Sequence, residues 1–224
     1  MIPWQHLDTA KVPGDGTELK LMRRGTEYSI MAGSIELMNS RLSGSEEAMA
    51  TLAFDRIGQR PKSRVLIGGL GMGFTLRAAL AAFQPDTEIV VAELVPAVVA
   101  WARGPLGELH GASLDDPRVT LHQGDVGEAI RAEASGYDAI LLDVDNGPGG
   151  LSRKENDGLY GRSGLAEARQ ALRPGGVLEV WSSTRDSDFT RRLKQTAFTV
   201  EEIGVRAHKG RGARHVIWIA TKAA

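Results

Sequence analysis

The chain has 224 residues, 42% hydrophobic and 25% charged, with a net charge of −1, a balance that suits one globular domain with a small appendage. It contains no cysteine, which removes disulfides, thiolate metal sites and a cysteine nucleophile. The near-neutral charge leaves no basic footprint of the kind phosphate neutralisation requires, so nucleic acid is not expected as the main partner.

In chain order, the opening "MIPWQHLDTAKVPGDG" carries no basic-then-apolar leader, and the longest uncharged run, Val65 to Leu76, is too short and glycine-rich to span a bilayer. A cytoplasmic protein is expected. From Thr17 to Arg41, "TELKLMRRG", "TEYSIMAG" and "SIELMNSR" alternate apolar with polar residues and are punctuated by Gly25 and Gly33, which predicts a small antiparallel meander. The run "SGSEEAMATLAFDRI" then has a serine and two glutamates ahead of an apolar stripe, the start signals of a helix. These features divide the chain into a β-meander over 1–44 and a second unit over 45–224.

From Lys62 onward the style changes. Apolar runs, "RVLIGG", "EIVVAEL", "RVTLHQG", "YDAILLDV" and "GGVLEVWSS", alternate with helix-like segments such as "FTLRAALAAF" and "LAEARQAL". Strands too apolar to have a wet face, in strict alternation with helices, predict a doubly wound α/β fold with a mostly parallel sheet covered on both sides. "FTVEEIGVRA" and "ARHVIWIATK" are joined only by "HKGRG", too short for a crossover helix, so they should form an antiparallel hairpin. The basic tip of that hairpin lacks interleaved aromatics and reads as a solvated turn.

In an open parallel sheet, ligands sit beyond the carboxyl ends of the strands. At the first such end, Gly69, Gly71 and Gly73 occur at every second position, which permits a ligand to touch the backbone or merely serves a tight turn with close helix packing. A dinucleotide fingerprint fails, because the sixth position counted from Gly69 is Phe74, and no G-x-x-x-x-G-K-[ST] occurs. At the second end stands Glu93, followed by Leu94. Its two oxygens match the two donors of a ribose diol, or it caps a helix or joins an ion pair. At the third, Asp125, followed by Val126, can accept from an adenine amino group, cap the next helix, or do both. The fourth end, "YDAILLDVDNGPGG", carries Asp143 and Asp145. Two acids so close should shift each other's proton affinity, which suits a base or a binder of a cation, unless both are solvated loop acids. Tyr160, Trp181 and Ser182 lie near the next strand end as candidate acceptor-pocket residues, with core packing the favoured alternative for Trp181. His6, His110, His122, His208 and His215 show no paired metal spacing, and no metal site is expected.

Gly69-x-Gly71-x-Gly73 with Glu93, Asp125, "YDAILLD" and "LRPGGVLEVWSS" resembles the class I S-adenosylmethionine-dependent methyltransferase fold over about Lys62 to Lys222. The terminal hairpin is similar to that fold's antiparallel last strand. Within the fold, the small β-domain before the core, Thr75-Leu76-Arg77 after the glycines, and "DVDNGPGG" resemble the spermidine synthase (polyamine aminopropyltransferase) group. That resemblance implies a seven-stranded Rossmann-like sheet and a ligand, S-adenosylmethionine or its decarboxylated form. Gly69, Gly71, Gly73, Glu93, Leu94, Asp125, Val126 and Asp143 would bind it, with Asp143 at the reacting centre. For such a ligand, Asp143 or Asp145 at the strand end is the candidate catalytic base, or holds an amine in register while water takes the proton. It also implies a homodimer interface as a use of the meander, with a lid over the active site as the alternative that the sequence leaves open.

Some residues depart from that group's pattern. Its glycine turn holds an acid, where Leu70 and Met72 flank Gly71 here. Its "L-D-G-x-x-Q" corresponds to Met31 to Glu36, and its polyamine-contacting "D-E-x-x-Y-H-E" to Ser45 to Thr51, without the tyrosine, the histidine or the final acid. Polyamine recognition needs several acids and aromatic faces. The expected function is therefore methyl transfer to a small-molecule acceptor, with aminopropyl transfer as the alternative and a non-catalytic nucleoside-binding module as the second alternative.

Overall fold

The computed structural model describes residues 2–14, 16–144, 147–148, 158–208 and 211–224. The first unit is a four-stranded antiparallel sheet, β1 (Gln5–Lys11), β2 (Glu18–Arg24), β3 (Glu27–Ala32) and β4 (Ile35–Asn39), paired in that order. The last three match the alternating runs in the sequence. β1 does not announce itself, because its residues are exposed or half-buried and it has only one paired neighbour.

Helix α1 (Gly44–Ile57) follows, and then a seven-stranded sheet built from β5 (Arg64–Gly68), β6 (Glu88–Glu93), β7 (Val119–Gln123), β8 (Tyr137–Leu142), β9 (Leu172–Ser182), β10 (Phe198–His208) and β11 (Arg211–Lys222). Its order is β10-β11-β9-β8-β5-β6-β7. β5 pairs parallel with both β6 and β8, β7 extends the sheet beyond β6, and β9 extends it beyond β8. β11 runs antiparallel to β9 and to β10. This is the doubly wound, mostly parallel sheet with an antiparallel final strand that the sequence predicts. The order reverses at β5, so the crevice above β5 and β8 is where a ligand fits.

Two-residue alternation along each strand divides the core between two faces. Val65, Ile67, Ile89, Val91, Ala139, Leu141, Ile217 and Ile219 face α1, α2 (Phe74–Ala82) and α3 (Pro96–Arg103), where Met49, Ala53, Leu76, Ala79 and Trp101 complete one cluster. Leu66, Val90, Ile140, Leu142, Leu178, Val180 and Trp218 face α5 (Val126–Arg131), α6 (Arg162–Ala171) and α7 (Ser187–Gln195). A short α4 (Gly107–His110) and a 3-10 turn over Ser113–Asp115 connect α3 to β7. Leu19, Leu21, Tyr28 and Ile30 of the meander belong to the first cluster, so the small sheet packs into the main core. Among the described residues, no helix is long and apolar enough to cross a membrane.

Candidate functional site

The carboxyl ends of the parallel strands open into a cavity of about 520 Å3, within the usual size range of small-molecule sites. Its floor includes Gly69 to Met72 after β5, Glu93 to Val95 after β6, Gly124 to Val126 after β7, Asp143 and Val144 after β8, and Trp181 on β9. Its other wall is the meander, through Val12, Leu19, Ile30, Ala32, Leu37 and Met38 among others. The small sheet therefore covers the crevice of the large one.

The glycine turn answers to its protein neighbours before any ligand. All three residues have left-handed backbones, with φ of 90° at Gly69, 49° at Gly71 and 75° at Gly73. A Cβ on Gly69 would lie 2.7 Å from the Asp143 carbonyl oxygen, and one on Gly73 would lie 2.5 Å from Nδ1 of His110. Gly73 is not among the cavity-lining residues, and its conformation opens α2 against that buried histidine. Burial and the Arg77 cation depress the His110 ring to about 4, so it packs there as a neutral group. Gly69 and Gly71 do line the cavity. At Gly71, only the flexible end of Met38 would oppose a Cβ, at 3.0 Å.

Glu93 is buried at the end of β6, where Oε2 accepts from the Leu70 N–H at 2.9 Å and Oε1 from the Val95 N–H at 2.8 Å. Burial raises its proton affinity and the backbone N–H groups oppose the rise. Each oxygen keeps acceptor capacity beyond these bonds, and the residue lines the cavity with Leu94 beside it. Asp125 caps α5, its Oδ1 accepting from the Gly127 N–H at 2.8 Å. It and Val126 also line the cavity, so capping does not remove Asp125 from the site.

Asp143 is strongly perturbed. Burial, then the negative charge of Glu46, push its carboxyl up to about 7, against a hydrogen bond from Thr75 Oγ1 to Oδ2 at 2.9 Å. The expectation of a pair with Asp145 falls outside the described residues. The acid that perturbs Asp143 within them is Glu46, in the first turn of α1, which also lines the cavity. Glu46 is itself raised, chiefly by burial, and accepts from Ser45 Oγ at 2.7 Å. Sequence reasoning gave Glu46 no site role, because a glutamate in a first helical turn is already explained by the helix dipole. Its only other signal was its place in the stretch compared with the polyamine-contacting motif.

Of the candidate acceptor-pocket residues, only Trp181 lines the cavity. Tyr160 is buried and donates to the Val144 carbonyl at 3.2 Å, bracing the strand end from below. Ser182 is buried beside Gly147.

Residues 45–189 match the family model described as the spermine/spermidine synthase domain. A polyamine aminopropyltransferase of Mycobacterium tuberculosis (strain CDC 1551 / Oshkosh) is 35% identical over 135 residues, covering 58% of this chain and 24% of that protein. Putrescine N-methyltransferase 4 of Nicotiana tabacum is 37% identical over 119 residues, covering 53% of this chain and 29% of that protein. The matched stretch thus spans about a quarter to a third of the length of these curated relatives. The spermidine synthase of Thermotoga maritima superposes with a TM-score of 0.73 at 18% identity, covering 98% of this chain and 73% of that one. A spermidine synthase in complex with the transition state analogue AdoDATO gives 0.72 at 18% identity, with the same coverage. These two likenesses are of fold. With the family model covering more than half of the sequence, from the first turn of α1 into α7, the chain belongs to the spermine/spermidine synthase family.

Proposed function

We propose that this chain transfers an aminopropyl group from decarboxylated S-adenosylmethionine to a polyamine-type amine. The carrying observation is the Asp143–Glu46 acidic pair inside a largely apolar, covered cavity, an arrangement suited to a cationic amine that must lose a proton before it reacts. The family match and the named aminopropyltransferase relatives favour this reading over the methyl transfer expected from the sequence departures.

The residues fit a sulfonium nucleoside. Glu93 would hold the ribose, Asp125 and Val126 the adenine, and Gly69 and Gly71 would let the tail lie against the backbone. When bound, the donor supplies a carbon made electrophilic by positive sulfur, which departs as a neutral thioether with the bond's electron pair. The chain's own task is alignment and water exclusion, through the meander wall and Trp181, and proton removal from the amine by Asp143. A carboxyl held near 7 is matched to that work, because it is ionised in a useful fraction of molecules and still basic enough to take a proton.

Methyl transfer to a diamine is the second reading, on a specific observation. Leu70 and Met72, both buried and apolar, stand in the turn where the synthase pattern has an acid, and a putrescine N-methyltransferase is among the relatives. Mass analysis of products from putrescine with each donor decides. An aminopropyl adduct from the decarboxylated donor supports the first reading, and a methyl adduct from S-adenosylmethionine supports the second. Binding of either donor without turnover on any amine would sink both and leave a nucleoside-binding module.

A further inference from the structure

We propose that Glu46, Ser45 and His215 form a path that carries the substrate's released proton from the covered cavity to solvent. The inference rests on amine alkylation as read above.

The three side chains are joined in series. Ser45 Oγ donates to Glu46 Oε2 at 2.7 Å and lies 3.0 Å from Nδ1 of His215. Glu46 lines the cavity, Ser45 is fully buried, and His215 on β11 is half-buried. A hydroxyl sealed from water therefore links a half-buried carboxyl that lines the cavity to a half-buried imidazole outside it. The ring is steadied by an edge-to-face contact with Trp181, centroids 4.8 Å apart, and Trp181 is itself part of the cavity wall. Residues distant in sequence thus connect the inside of the cavity with the outside through ordinary hydrogen-bond distances.

Proton balance demands an exit. A primary ammonium gives one proton to the Asp143–Glu46 pair. The nitrogen lone pair then forms the new N–C bond while the C–S bond breaks with its electrons on sulfur, and the product keeps the two remaining ammonium protons. One proton per turnover is left inside. Two carboxylates with like charges in one cavity hold a single proton between them, so a second turnover needs that proton gone. From Glu46 Oε2 it passes to Ser45 Oγ, the serine's own proton passes to His215 Nδ1, and the imidazolium releases its Nε2 proton to water. One proton enters and one leaves; the hydroxyl then turns back, and the ring turns over so that the bare nitrogen faces Ser45 for the next cycle. Burial lowers the proton affinity of His215 below the ordinary histidine range, so the ring passes the proton on and does not retain it.

The test is a single turnover of the full chain with putrescine in weak buffer, run with decarboxylated S-adenosylmethionine and, separately, with S-adenosylmethionine, and read with the donor that gives product. A pH-indicator dye reports proton release and quenched samples report product. In the wild type, release keeps pace with product. In His215→Asn, whose amide nitrogen or oxygen can still bond Ser45, release lags product about tenfold or more, and added imidazole restores it. Ser45→Ala cuts the path inside and gives the same lag, which imidazole does not restore. Release in step with product in both variants overturns the relay and leaves amine alkylation standing. Loss of product formation itself in both folded variants makes the trio a scaffold of the site and also overturns the relay. No product from the wild type with either donor overturns amine alkylation, and the relay with it.

Discussion

Asp143 and Glu93 are carboxyl groups at strand ends, Glu93 buried and Asp143 half-buried at the cavity, and their surroundings give them different chemistry. Glu93 is met by backbone N–H groups on both oxygens, while Asp143 has the Thr75 hydroxyl and faces the charge of Glu46. The folded-state affinity of Asp143, about 7, lies above its ordinary 3.8, so the folded protein holds the proton more tightly than the unfolded chain does. Its contribution to stability is therefore present below pH 3.8 and is lost as pH rises towards 7. Asp143→Asn should raise Tm at pH 8 more than at pH 5, while lowering kcat/KM by about 100- to 10,000-fold, as loss of a general base does. In the wild type, kcat/KM should climb with pH through about 7. A flat profile in stopped assays from pH 5 to 9 would remove Asp143 from the proton-transfer role. Both carboxyl groups were legible in the sequence, since each ends an apolar strand. Glu46 was not, because its partner lies 97 positions away in the chain (143 − 46) and only folding brings the two together.

Strand β9 carries a buried acid that the site does not use. Glu179 is fully buried between Leu141 of β8 and Ile219 of β11 in register, and neither oxygen has a hydrogen-bond partner among the described residues. Burial raises its proton affinity well above the ordinary range, opposed only in part by Arg56, whose guanidinium is bonded to Glu201 at 2.8 Å. The stability it allows at low pH is lost as pH rises above the ordinary glutamate value of 4.5. Glu179→Leu should therefore stabilise the protein by about 1 to 3 kcal/mol at pH 8, with a smaller gain at pH 5, read from urea midpoints. An equal or negative change at pH 8 would mean that the carboxyl has a partner in solution. The apolar β8 was readable as a strand because its six residues are all buried. β1 was missed because an exposed or half-buried edge strand leaves almost no hydrophobic period.

At the scale of the molecule, the meander is both a wall of the cavity and a tenant of the main core. One fastening is specific. Trp101 of α3, almost wholly buried, donates its indole N–H to Asp8 Oδ2 of β1 at 2.7 Å. Trp101→Phe keeps most of the packing and removes that bond. The expected cost is about 1 kcal/mol, because Asp8 is exposed and water compensates in part. Loosening β1 also loosens Val12 at the cavity wall, so KM for the donor should rise while kcat holds. Donor-saturation kinetics and a urea titration check the two halves separately, and an unchanged KM would mean that the wall stands without this tie.

By itself the sequence determined the α/β architecture, the parallel core, the terminal hairpin and the strand ends that line the cavity. Apolar periodicity and glycine spacing are local signals, and a buried parallel strand cannot be written in polar residues. Only the tertiary structure decided that the small sheet roofs the crevice, that Gly73 yields to His110, and that Glu46 perturbs Asp143. Each of these is a meeting of segments remote in the chain, whose geometry comes from packing and is encoded in no single stretch.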